Sequence, residues 1–164
     1  MSVSLEQGAL DAVTKEIASQ MEQWQQVIIR NLQIAGEEAV KKARLIVTNS
    51  GGGGSVMPPY TVQTGNLVSS VGYALVIDGQ IVKTSSFDSV SGPKGTGAEG
   101  AEKGRAYVKE LAMRFPQGYA LILVAGMHYA SYVQEIHHRD VLVSGSLVAE
   151  QLVNELKDKL SKSR

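Results

Sequence analysis

Cysteine is absent from this chain, which excludes disulfides, thiolate metal sites and thiol nucleophiles together and suits a reducing compartment. Net charge is absent as well. Sixteen Lys and Arg are matched by sixteen Asp and Glu, so no global field exists to hold a phosphate backbone, and direct binding to nucleic acid is not expected. Long hydrophobic runs are missing: the longest, Tyr119 to Met127, is too short to span a bilayer, and no membrane partner is expected. The opening MSVSLEQGALDAV has neither a basic residue nor a sustained apolar stretch and does not read as a secretory signal.

Signatures of catalysis are scarce. No GxSxG elbow and no carboxylate pair with a supporting site appears, and nothing names a nucleophile. Gly95-Thr96-Gly97-Ala98-Glu99-Gly100 satisfies GxGxxG, but the dinucleotide fingerprint needs a buried strand directly before it, and here Ser91-Gly92-Pro93-Lys94 precedes. Neither glycine run ends in the GK[ST] of a phosphate loop. All three histidines fall within a short segment with two acids: His128, Glu135, His137, His138 and Asp140. Histidines suit zinc, yet adjacent His137 and His138 point to opposite sides of an extended backbone, and no HExxH frame exists. The expectation is no metal, no cofactor and no enzyme; the alternative is a small metal-dependent hydrolase built on the His128–Asp140 cluster.

What is present is the composition of an ordinary folded domain. The chain has 164 residues, 43% hydrophobic and 20% charged, enough for one domain over residues 1–164 with a real core. Residues 5–48 read as one long helix, with Met21, Trp24, Val27, Ile28, Ile34 and Ala35 forming an apolar stripe. Gly36 is the position at which this helix is expected to bend or split. Glu37 and Glu38 precede Lys41 and Lys42 by four residues, the favourable order for helix ion pairs, and together with Arg44 they read as a solvated face. Asn49 to Ser55, with four consecutive glycines, is a flexible connection, and Pro58-Pro59 enforces extended backbone after it. Because the long helix needs a partner to bury its stripe, this connection is not read as a domain boundary.

Residues 60–164 form an α+β body. Thr64-Gly65-Asn66-Leu67 is a chain reversal running into a helical turn, where Gly65 can take the angles of a tight turn and Asn66 can bond nearby N–H groups. Val71, Tyr73, Leu75 and Ile77 alternate with smaller residues, Asp78-Gly79 marks a hairpin turn, and Gln80–Phe87 returns. The Gly- and Ser-rich stretch from Asp88 to Gly104 reads as a long mobile loop, Arg105–Arg114 as a short helix, and Tyr119–Ala125 as a strand. Tyr129, Tyr132, Val133 and Ile136 share one face of a short helix by their spacing, with Tyr129 expected under the sheet. A further strand is expected at Asp140–Val143. The last helix covers Ser146 to Lys162, with Val148, Leu152, Leu156 and Leu160 at four-residue spacing and basic residues in its final turns. The fold expected is therefore a small, mainly antiparallel sheet with a hairpin, packed against long N-terminal and C-terminal helices.

The order of two short motifs, TGNLVSS followed by YASYVQE, resembles the tail-completion proteins of long-tailed bacteriophages and prophages, also called neck or head–tail joining proteins. Thr64, Gly65, Asn66, Leu67 and Ser70 match the first motif of that family, and Tyr129, Ala130, Tyr132 and Val133 match the second. Val68 stands where the family often has a basic residue. Gln134-Glu135 replaces a single acidic position, and the glycine-threonine that often follows is absent. The resemblance implies a structural virion protein that joins the tail to the head-side connector. It would work through contacts with other neck, connector and tail proteins, as a homo-oligomeric ring made in the host bacterial cytoplasm and carried in the virion. A tail-terminator or minor capsid subunit is the neighbouring alternative.

Overall fold

The structure is a computed structural model that describes residues 7–48, 63–128, 130 and 142–162. Helix α1 (Gln7–Thr48) leads to a short helix α2 (Asn66–Ser70) and strand β1 (Val71–Ile77). Strand β2 (Gln80–Thr84), helix α3 (Ala98–Ala112), strand β3 (Tyr119–Ala125) and helix α4 (Val143–Lys162) follow. The sheet has the order β2-β1-β3 and is antiparallel throughout. Its architecture is the expected one: long first and last helices packed on a small antiparallel sheet.

Strand β1 is the centre of the molecule, and each of its seven residues is buried. An alternating strand has one apolar face. This one, with small and apolar residues at both parities, is covered on both sides. Val71 and Tyr73 face α1, packing with Val40 and Ala43, while Leu75 packs between Leu32 of α1 and Leu156 of α4. On the other side Ala74 and Val76 join Phe87, Val108, Ile122 and Val124 under α3. The hairpin turn has Asp78 at φ 48° and Gly79 at φ 80°, the two left-handed residues of a type I′ turn. The Asp78 carboxylate accepts a hydrogen bond from the Gly118 N–H at 2.8 Å, tying this turn to the one that enters β3. A bulge between Leu75 and Val76 shifts the β1–β2 register, and the returning strand ends at Thr84, short of the expected Phe87. Phe87 instead turns into the core, 1% exposed.

Several expectations are corrected. Gly36 does not split α1, which is continuous from Gln7 to Thr48. It is a point of close approach: a Cβ there would lie 2.6 Å from the Tyr73 ring, so the aromatic ring packs directly on the helix backbone. The stripe on α1 buries only its second part. Ala35 is buried and Ile28 partly so, whereas Met21, Trp24, Val27 and Ile34 are exposed. The face against the sheet is carried by Leu32, Ala35, Ala39, Val40, Ala43 and Val47, one helical stripe of small and branched residues.

The loop expected over Asp88 to Gly104 is shorter than that: it ends at Gly97, and α3 starts at Ala98. Glycine and alanine there allow a helix to lie close to the sheet, and that gain outweighs the weak helix propensity of the glycines. Val143 is the first residue of α4, not the end of a strand; Asp140 lies outside the described residues, as do Gly51–Gly54 and Pro58-Pro59.

The charged face of α1 is largely solvated, as expected, with Glu37, Glu38, Lys41 and Lys42 exposed and Arg44 partly buried. Lys41 pairs with Glu38 at 3.8 Å, but Glu37 accepts a hydrogen bond from the Tyr73 hydroxyl at 2.8 Å. Arg44 donates from Nε and Nη2 to the Val71 carbonyl at 3.2 and 2.9 Å. Burial lowers the Arg44 pKa, opposed by the nearby charges of Asp88 and Glu37. Burial first, then the hydrogen bond and charge of Glu37, push the Tyr73 hydroxyl well above its ordinary value.

A raised folded-state pKa contributes stability that is complete below the unfolded value and lost as pH rises through the folded one. Tyr73→Phe is expected to cost about 1 kcal/mol at neutral pH through loss of that hydrogen bond. The difference from the parent should narrow above pH ~10, where the unfolded tyrosine ionises. Urea unfolding of both proteins at neutral and alkaline pH checks this; a constant difference would mean the hydroxyl is not held in the folded state.

Candidate functional site

The first motif forms a turn that is locked from two directions. Gly65 has φ 76° and ψ −6°, a left-handed conformation that costs a residue with a Cβ roughly 1–2 kcal/mol. Its environment is stricter than its angles. A Cβ on Gly65 would lie 1.7 Å from the Val90 carbonyl oxygen, so only a hydrogen atom fits. Thr64 Oγ1 accepts the Asn66 N–H at 3.3 Å, a local side-chain cap of the turn. Leu67 and Val68, with Val47 and Met127, make an apolar cluster beneath it, and Ser70 Oγ bonds back to the Leu67 carbonyl at 2.8 Å.

The second lock comes from the glycine string of residues 95–100. Gly97 precedes α3 with φ 72°, and a Cβ on it would meet Ser69 Oγ and the Val90 carbonyl oxygen, each at 2.3 Å. At Gly100 the clash would be with the Asn66 carbonyl oxygen at 1.9 Å. Helices α2 and α3 therefore cross with backbone against backbone. The string that imitates a dinucleotide fingerprint is occupied by the protein itself: its glycines admit the TGNL turn where a phosphate-binding loop would admit a ligand.

Polar side chains bridge the two segments. Ser69 Oγ accepts the Val90 N–H and donates to the Gly65 carbonyl, both at 2.8 Å. Asn66 donates from Nδ2 to Glu99 Oε2 at 2.8 Å and accepts the Gly100 N–H at 3.4 Å, so its partners lie on α3 and not in its own turn. Lys103 Nζ stands 2.7 Å from Glu99 Oε1. That hydrogen bond, foremost, and the lysine charge hold the Glu99 carboxyl below the usual range, with a smaller contribution from Asn66. A backbone bond from the Lys94 N–H to the Gln63 carbonyl at 2.8 Å closes the edge.

Of the residues singled out by sequence, Thr64, Gly65, Asn66, Leu67 and Ser70 are gathered in this one turn. Ala130 is partly buried against the Leu67 cluster, next to the motif it was matched with. Tyr129, Tyr132 and Val133 lie outside the described residues, as do Glu135, His137, His138 and Asp140. His128 is exposed. Among the described residues, no group of three or more His, Asp or Glu is arranged to hold a metal. Ser69 and Val90 were not singled out in the sequence, and Gly97 and Glu99 only as members of the GxGxxG string. Their signal was the glycine string itself, whose spacing marks a close backbone approach without saying to what.

One further feature is open. Between α1, β3 and α4 runs an apolar groove of about 540 Å³, lined by Ile28, Leu32, Leu121, Leu123, Val153 and Leu156 among others. It adjoins β3, the strand at one side of the sheet order.

No protein-family model matches the chain, and no curated protein or solved structure matches it.

Gly65→Ala and Gly97→Ala are each expected to destabilise the fold by at least about 2 kcal/mol, because strain and a clash with fixed backbone add. Lys103→Ala, whose partner is solvent-exposed, should leave stability nearly unchanged. Thermal unfolding of the three variants tests the contrast. If Gly65→Ala melts like the parent, the turn relaxes away from Val90 and the lock is not structural.

Proposed function

We propose that this protein is a structural subunit of a bacteriophage or prophage virion that joins the tail to the head-side connector. It acts through protein surfaces in a homo-oligomeric ring, is made in the host bacterial cytoplasm and is carried in the virion, with no catalytic step. The observation that carries the reading is the pair of motifs in family order, of which the first, Thr64 to Ser70, forms a turn most of whose residues are buried in internal packing. A motif of that kind maintains a scaffold, and the working surfaces then lie elsewhere.

Two features support a contact role. Large apolar side chains remain exposed on α1, and the groove beside β3 is apolar and open, where a neighbouring subunit could cover them. No helix among the described residues is long and apolar enough to cross a membrane.

Deleting the gene from the phage or prophage that carries it tests the role directly. Electron microscopy of the lysate should show filled heads beside separate tails of normal length, and purified protein added to that lysate should restore infectious particles. Tails of aberrant length would instead assign a terminator role, and malformed heads a minor capsid role. Intact, infectious virions without the protein would overturn the structural reading.

A further inference from the structure

The first part of α1 is an uninterrupted helix with nothing packed on it: every residue from 8 to 27 is exposed. Most helical stability in proteins comes from packing of an apolar face, and this stretch is not uniformly polar. Counting from Leu10 as position a of a heptad, the a positions are Leu10, Ile17, Trp24 and Asn31, and the d positions Val13, Gln20, Val27 and Ile34. The six apolar members are between 44% and 57% exposed. This is the 3.5-residue repeat of a coiled-coil seam. It is distinct from the stripe of Leu32, Ala35, Ala39 and Ala43 that faces the sheet. Val27 and Ile34 lie on the side of α1 turned away from the sheet, so a second helix can run along them without meeting the body.

We propose that this seam is occupied by the same segment of a second copy, running antiparallel over residues 10–34. Charge decides the direction. Glu16 and Arg30 both sit at position g. In the antiparallel register that sets Leu10 against Ile34 and Ile17 against Val27 of the second copy, Glu16 falls beside Arg30 of the second copy, twice by symmetry. Met21 then meets its own copy at the two-fold axis. A parallel pairing would place Glu16 beside Met21 and leave Arg30 without an acidic partner across the seam.

The polar seam residues are prepared for cover. Gln20 donates to Glu16 Oε1 at 3.0 Å and Asn31 to the Val27 carbonyl at 2.8 Å, so closing the seam does not strand these amide donors. Polar residues at such positions set register at some cost in stability. The overlap of 25 residues is about 37 Å long, and each copy contributes six half-exposed apolar side chains plus Met21.

Sedimentation equilibrium of the full chain at micromolar concentration is expected to give a dimer. Glu16→Arg and Arg30→Glu should each weaken it about tenfold or more, while the double variant returns to near the parent affinity. The two single variants mixed together should form a heterodimer, since each then supplies what the other needs. Because the chain has no cysteine, Met21→Cys gives a unique thiol that should crosslink to itself under mild oxidation, and Leu10→Cys should crosslink only to Ile34→Cys. The arm lies outside the core, so every variant should still unfold cooperatively, with any loss of helix by circular dichroism limited to the freed arm. A monomer at these concentrations, a dimer indifferent to both charge reversals, or efficient self-crosslinking through Leu10→Cys would overturn the proposal.

Discussion

Everything in this fold follows from a central strand that has no solvent face. With Val71 to Ile77 buried at every position, the sheet must be covered on both sides. The two covers are built differently. Helices α1 and α4 supply one as a pair of long amphipathic elements meeting Val71, Tyr73 and Leu75. Helix α3 supplies the other and lies close, with Gly100, Ala101 and Gly104 among its buried residues. Close packing of this kind has little tolerance for added volume, since interiors are as dense as organic crystals.

The second cover explains the motif. A helix laid tightly on the sheet must begin somewhere, and α3 begins against α2, at the point where the chain reverses into β1. Ser69 satisfies the Val90 N–H in a region with no strand pairing to do so, and Asn66 spans the gap to Glu99. TGNL and the glycine string are thus two halves of one contact, separated in the chain by the β1–β2 hairpin and the loop that follows it. A side chain at either half would force the covering helix away from the core.

The polar bridges to α1 are of another kind. Tyr73 is buried, and its hydroxyl donates a hydrogen bond to the exposed Glu37 carboxylate, the usual arrangement for an aromatic side chain with a polar tip. Arg44 caps the first carbonyl of β1. Both anchor the second half of α1, leaving the first half outside the body. One helix therefore serves two environments: small residues for close contact with the sheet, and larger heptad-spaced ones beyond it.

Much of this was legible in the amino-acid sequence. Strand β3 has the bounds that its apolar run predicts, the hairpin turns at Asp78-Gly79 because those residues tolerate left-handed angles, and the terminal helices follow from periodicity. Local chemistry determines such features. Gly65 was legible as a turn for the same reason. The partner of that turn was not, because a glycine string has the same composition whether it is mobile or pressed against backbone, and only the tertiary contact with Asn66 and Val90 distinguishes the two. Nor does a helical stripe state which part of it meets the sheet. Apolar periodicity reports that a face seeks cover; the length of the body beneath it decided that Ala35 is buried and Met21 is not.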